Sequence, residues 1–322
     1  MRTYAIRRLL LVIPTLFIIT AVLFLVVRLI PGDIVTMMVA QRSWQQEIGT
    51  SSELDVSAIR HALGLDVPFL TQYGRWVVGF FRGDFGKSLW SSRTLTSELA
   101  AKLPVTLELS LMSLVLGLLA GVPLGVYSAI RQDTVPDYIG RVVSIILLAI
   151  PSFWVATLVF VYPSLWWGWS PPVEFIPFTK DPLGNLVQFL IPSIIMGTFT
   201  SGGLMRITRT MMLEVLRQDY IRTAWSKGLR ERVVVMRHAV KNTLIPVVTI
   251  IGGMIPGLFG GAVIIEQIFA LPGMGRYFLT AVQQRDYLIV SGWNIMMSLF
   301  VLIFIVLTDL AYAFVDPRIR YK

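Results

Sequence analysis

Several short patterns in this chain hold residues whose types and spacing suit chemistry. Gly86-Lys87-Ser88 has the tail of a phosphate-binding loop, in which backbone amides and a lysine cradle phosphate groups. That loop needs a second glycine five positions earlier, and position 81 is Phe81, so ATP hydrolysis is not expected of this chain. Ser201-Gly202-Gly203 places a hydroxyl among small residues, but a nucleophilic serine needs a positioned base. Only two histidines exist, and the nearer, His238, lies in a polar stretch. Ion-driven transport needs ionisable groups deep in apolar segments. Glu108, Glu266 and Asp309 stand near the ends of such segments and form no relay. No cysteine is present, which excludes disulfides and thiolate metal sites.

The remaining pattern is polar and long. Residues Glu214–Lys241 read EVLRQDYIRTAWSKGLRERVVVMRHAVK. Their spacing predicts one helix through Val215, Leu216 and Ile221 toward Ala224, a break at Gly228, and a second helix through Val233, Val234, Met236 and Val240. A helix-turn-helix fixed between two apolar segments is suited to passing force from a soluble partner. A solvated loop rich in charge is the plainer alternative.

The elements that must position these groups follow from composition. Of 322 residues 55% are hydrophobic and 15% charged, whereas soluble domains have about 45–50% and about 25%. Uncharged runs long enough to cross a bilayer, which needs roughly 20 residues, occur at Leu9–Val27, Leu109–Ile130, Val142–Val173, Pro182–Met205, Asn242–Ile265 and Tyr287–Thr308. The fold class is therefore an all-α integral membrane protein of six transmembrane helices. The third run is too long for one span and is expected to turn interfacial at Trp166, Trp167 and Trp169. The first run exceeds a signal-peptide core and precedes no small-residue cleavage site, so it is expected to remain as a span.

The formal net charge of +9 resembles that of a nucleic-acid binder until it is sorted by side. With the N-terminus inside, the inner segments hold 17 basic and six acidic residues, and the outer ones hold 11 of each. Positive charge resists translocation, so both termini are expected in the cytoplasm, and no nucleic-acid partner is needed. The chain then divides into residues 1–30 (inner end and first span), 31–95 (outer segment), 96–315 (five-span core with an inner loop at 206–241) and 316–322 (inner tail). Leu54, Ala58, Ile59 and Ala62 predict a short helix in the outer segment. Gly117, Gly121 and Gly125 in span two, and Gly253, Gly257 and Gly261 in span five, recur every fourth residue. Such stripes suit close helix packing or a face lining a path that opens and shuts.

The run Asp219-Tyr220-Ile221-Arg222-Thr223-Ala224-x-x-Lys227-Gly228-Leu229, followed by His238-Ala239, Asn242 and Leu244-Ile245-Pro246, closely resembles the cytoplasmic loop of binding-protein-dependent ABC permeases. Ile30-Pro31-Gly32-Asp33, Leu63-Gly64-Leu65-Asp66, Gly83-Asp84-Phe85-Gly86, Leu103-Pro104-x-Thr106-Leu107-Glu108-Leu109, Pro272-Gly273-Met274-Gly275, Arg285-Asp286-Tyr287 and Asp316-Pro317-Arg318 extend the likeness over nearly the whole chain. They narrow it to the dipeptide, oligopeptide and nickel branch, and to the first of its two permease chains. Arg222-Thr223-Ala224 stands where the general motif has Glu-Ala-Ala, and this too is similar to the peptide branch.

The resemblance implies the type I ABC importer permease fold and transport of di- or oligopeptides by alternating access. Nickel or another small solute on the same machinery is one alternative, and an ion-coupled secondary transporter is another. It implies a second, homologous permease subunit, two ABC ATPase subunits that bind ATP and Mg, an extracytoplasmic substrate-binding protein, and a prokaryotic inner membrane with its lipid. No cofactor is expected on this chain itself. Glu214, Asp219, Tyr220, Arg222, Thr223, Ala224, Lys227 and Gly228 are the residues the resemblance assigns to coupling with an ATPase.

Overall fold

Apolar runs bounded by charge become helices because a bilayer offers backbone groups no other partners. The computed structural model describes residues 2–29, 66–88, 90–91, 93–172 and 174–315. Over these the chain forms α1 (Arg2–Leu29), α2 (Phe69–Phe81), α3 (Leu95–Ile130), α4 (Val135–Ala149), α5 (Ser152–Trp167), α6 (Pro182–Leu216), α7 (Asp219–Ser226), α8 (Glu231–Ile268, π-helical over Val234–Val240), α9 (Met274–Gln283) and α10 (Tyr287–Val315). Among the described residues the one extended pairing is an isolated bridge between Lys87 and Thr94. The short helix expected around Leu54 and the tail 316–322 lie outside the described residues.

Helices α3, α6, α8 and α10 are each long and apolar enough to cross a membrane. Helices α4 and α5 meet the same test only together, as a pair bent at a break, so that four helices, or five counting the pair as one, are long and apolar enough among the described residues; α1 stands at the first expected span with a shorter apolar stretch, Leu10–Val26. The third run differs from its expected form. It is broken at Ile150-Pro151, and its halves are bent by 87°. Proline has no N–H to donate and forces the preceding residue out of the helical region; Ile150 is accordingly extended, at φ −83° and ψ 125°. Trp166 and Trp167 end α5, where Gly168 at φ +63° stops it.

Helices α3 and α6 also outrun their apolar cores. At 36 and 35 residues and about 1.5 Å per residue, both exceed a hydrocarbon layer of about 30 Å. Charges mark where the bilayer ends, not where the helix does. Asp181 caps α6, accepting from the Gly184 N–H at 3.0 Å, with Pro182 in the first turn.

The chain forms two compact units. Among the described residues the larger holds Leu99–Leu279 with residues 2–5 and 301–315. Its core gathers Val105, Leu109, Ala156, Phe189, Ile195, Met196, Leu258, Ala262 and Ile265 from α3, α5, α6 and α8. The small residues set how closely these helices approach. At Gly121 an added Cβ would lie 2.6 Å from the Ser201 carbonyl oxygen, and at Gly125 2.7 Å from that of Met205. Gly117 meets Thr200 and the Gly197 carbonyl in the same way, so α3 lies against α6 along the whole stripe. Ser201 and Gly202 belong to this packing, Gly202 facing the Ser144 carbonyl of α4. Span five is unlike span two. Among the described residues a Cβ at Gly253 or Gly257 would meet nothing within 4 Å, and one at Gly261 only the Met196 methyl at 3.8 Å.

The smaller unit holds the described residues between Ile6 and Glu98 together with Thr280–Phe300. Phe24 of α1 stacks among Phe69, Tyr73 and Trp76 of α2, and the Thr20 and Tyr73 hydroxyls lie 3.0 Å apart. The Gly86-Lys87-Ser88 pattern is used structurally here. Ser88 is buried and its hydroxyl donates to Asp286 at 2.7 Å, holding the 83–94 loop against the start of α10.

Candidate functional site

The polar stretch between α6 and α8 is an elbow built from two stops and one short helix. Helix α6 ends at Leu216; Gln218 is extended at ψ 148°, and α7 starts at Asp219. The single helix expected from Val215 toward Ala224 is thus two helices, broken at Arg217-Gln218. Apolar periodicity runs straight through that break, which is why the sequence conceals it. Helix α7 ends at Ser226, and Gly228, at φ +73°, turns the chain toward Arg230 and α8. No β-carbon contact crowds Gly228, so its role is conformational: left-handed backbone is costly for a residue with a Cβ.

The eight residues of α7 have two faces. Ile221 and Ala224 are buried against Met212 of α6, Val234, Val235 and Ala239 of α8, and Ala129 at the end of α3. Burying an isoleucine is worth about 1.5–3 kcal/mol, so a helix too short to persist alone is held by its seat. Tyr220 reaches across to α8, its hydroxyl accepting from the Asn242 side-chain amide at 3.0 Å. That amide also donates to the His238 carbonyl at 2.8 Å. The other face is open. Arg222, Thr223, Trp225 and Lys227 are exposed, with Leu229, Val233 and Met236 beside them. Asp219 and Arg222 form a surface ion pair at 3.6 Å, of a kind that contributes little. Glu214 is exposed on the last turn of α6.

The structure therefore brings Asp219, Tyr220, Arg222, Thr223, Ala224, Lys227 and Gly228 together in one elbow, but in two roles. Ala224 belongs to the seat and the others to the rim or the turn. Residue types alone did not identify Ile221, Val234, Val235 and Ala239 as the socket, nor Trp225 and Met236 as exposed apolar groups on a polar segment. The signal for the socket was Ile221 and Ala224 at a three-residue spacing.

A second feature braces the elbow. Arg209 of α6 grips the buried Asp137 carboxylate of α4 in a fork, Nε to Oδ1 and Nη2 to Oδ2, each at 2.7 Å. Ser128 of α3 donates to the same carboxylate, and the Asp133 N–H donates to Oδ2 at 3.0 Å. One carboxylate in the first turn of α4 thus ties together the C-terminal parts of α3 and α6. In the sequence Asp137 and Arg209 are merely two of many charges flanking spans. No group of His, Cys, Asp and Glu able to hold a metal occurs among the described residues. The arrangement is mechanical: a seated helix with a free face, on a braced base.

Comparison with known proteins agrees with this architecture. Residues 121–321 match the family described as binding-protein-dependent transport system inner membrane component, and residues 1–110 match the N-terminal family of such membrane components. The oligopeptide transport system permease protein AppB of Bacillus subtilis (strain 168) is 38% identical over 324 residues, covering 100% of both chains. The dipeptide transport system permease protein DppB of Escherichia coli (strain K12) is 34% identical over 345 residues, again covering 100% of both. A crystal structure of an amino acid ABC transporter with histidines shares the fold, at TM-score 0.50 and 12% identity over 69% of this chain and 94% of that one. A helical bundle with an elbow between its fourth and fifth spans is thus found on a chain that matches from end to end, and the chain belongs to the inner-membrane permease components of binding-protein-dependent transport systems.

Proposed function

We propose that this chain is the peptide-translocating permease of an ATP-driven importer, with both termini in the cytoplasm and α7 as the part that receives force from an ATPase subunit. The observation that carries the reading is the two-faced α7, seated on α6 and α8 by Ile221 and Ala224 while Arg222, Trp225 and Lys227 stay open. A push on the open face passes into two spans at once because the seat is apolar and filled. Peptide as cargo is supported by the names of the full-length relatives. ATP and Mg are bound by the partner ATPases. A second, homologous permease completes the pathway, and an outer binding protein delivers the peptide.

The test uses the reconstituted complex with its binding protein and a peptide panel. Peptide-loaded binding protein should raise ATP hydrolysis, and Gly228→Val should abolish that stimulation while membrane insertion persists. The strain of a β-branched residue at φ +73° is about 1–3 kcal/mol, enough to unseat α7 but not to unfold a bundle. Undiminished stimulation in the variant would refute the role of the elbow. Uptake that continues without ATP would refute ATP-driven import.

A further inference from the structure

At the far end of α8 from the elbow, a single carboxyl group holds three elements together. Glu266 is completely buried, two residues from the end of α8. Its Oε1 accepts from the Thr106 hydroxyl of α3 at 2.5 Å, and its Oε2 accepts from the Arg276 N–H in the first turn of α9 at 3.0 Å. The Thr106 oxygen in turn accepts from the Met274 N–H at 2.8 Å, so the first turn of α9 is held from two sides. The connecting residues 269–273 are folded back just as tightly. Leu271 N–H donates to the Glu266 carbonyl at 2.9 Å, and the Arg276 guanidinium donates to the Ala270 carbonyl at 2.6 Å. A Cβ on Gly273 would collide with the Glu266 carboxyl group, and one on Gly275 would lie 2.5 Å from the Val263 Cα.

An ordinary helix cap comes from the residue just before the helix. Here the acceptor comes from ten residues upstream, on another helix, and it also holds a third. Buried acceptors satisfied in this way resist separation, because parting any one leaves a buried polar group without a partner. Every acceptor in the joint faces a donor, and the two glycines leave no slack between the turn and α8.

We infer that Glu266 is a positioning residue that fixes the start of α9 to spans two and five, so that the three move as one body at the outer mouth of the pathway. The inference rests on the transport reading above. Its consequence is that residues 269–273 are not a hinge, and that α9 follows span five when the mouth opens or shuts. Glu266 touches no substrate in this role; it acts through the placement of α9.

The test exploits a chain with no native cysteine. Spin labels at Ile264→Cys and Leu279→Cys, in the full reconstituted complex, report the distance between α8 and α9. With Glu266 intact, one narrow distance should persist in the nucleotide-free and vanadate-trapped states. Glu266→Gln keeps the shape but leaves one acceptor oxygen in place of two: its NH2 either faces the Arg276 N–H or forces the Thr106 hydroxyl to reverse, and the charge on the acceptor is lost. It should broaden that distance and lower stimulated ATP hydrolysis about tenfold, as loss of a buried hydrogen bond to a carboxyl group implies, with basal hydrolysis kept within about twofold. A distance that shifts between states with Glu266 intact overturns the proposal, as does a glutamine variant identical to the unsubstituted chain in both readouts. Should the glutamine variant fail to assemble, Thr106→Val decides: the same broadening supports the joint, and unchanged behaviour overturns it. If hydrolysis in the unsubstituted complex ignores binding protein and peptide, the transport reading fails, while the distances still judge the joint.

Discussion

At the scale of single residues, the most consequential group for stability is Asp137, which no sequence pattern singled out. It is fully buried and answered by Arg209, Ser128 and a backbone amide. Removing one partner of a buried ion pair costs about 3–5 kcal/mol, and Arg141, 3.8 Å from the Asp137 carboxylate and partly exposed, replaces the Arg209 fork only weakly. Arg209→Ala should therefore lower the unfolding temperature of the detergent-purified chain sharply, whereas Arg209→Leu combined with Asp137→Leu should recover much of the loss. Thermal unfolding of the three proteins checks this, and equal damage from single and double variants would contradict it. Gly228 was the easier residue to read. A glycine at the foot of a short helical pattern implies left-handed backbone, and it has φ +73°. What separates the two cases is range: Gly228 acts within its own turn, while Asp137 acts on a residue 72 positions away.

At the scale of elements, hydropathy revealed the spans but not their breaks or lengths. The 87° corner at Ile150-Pro151 interrupts a run that hydropathy reads as continuous. The extension of α3 back to Leu95 was hidden because Glu98, Lys102 and Glu108 end an apolar run without ending a helix. The π-helical stretch Val234–Val240 is likewise silent in sequence. A π segment of this length carries about one residue more than an α-helix covering the same turns. Deleting Met236, which is exposed, should let α8 close as plain α-helix with both ends in register. Deleting Ile250 from the α-helical part should turn everything beyond it by about 100° and prevent folding. Size-exclusion profiles of the two deletions in detergent compare them directly. The contact of α3 with α6 gives a second expectation. Gly121→Leu would drive a side chain into the Ser201 carbonyl, and its cost should exceed the 1–3 kcal/mol typical of overpacking because backbone, not a side chain, must yield. A melting temperature unchanged from that of the unsubstituted chain would show that the helices part freely.

For the whole molecule, the charge of +9 is the outcome of an uneven distribution: 17 basic against six acidic residues on the side proposed as cytoplasmic, equal numbers on the other, and the two acids Glu108 and Asp309 within or beside spans. A cysteine placed at Trp225 in the elbow should react with a membrane-impermeant maleimide only after the membrane is opened, and one placed at Phe178 should react in sealed cells. The reverse pattern would invert the proposed orientation. The family, the fold and the elbow were legible because they depend on local runs and short motifs. The braces at Asp137 and Glu266 were not, because each joins residues far apart in the chain. The bare strip along span five has a further consequence. At Gly253 and Gly257 the helix surface is indented by a missing side chain, with nothing set into it among the described residues. An indentation of that kind forfeits dispersion energy unless a partner surface fills it. Methyl groups added by Gly253→Ala and Gly257→Ala should make the isolated chain more stable, by about 1 kcal/mol each from helix propensity alone.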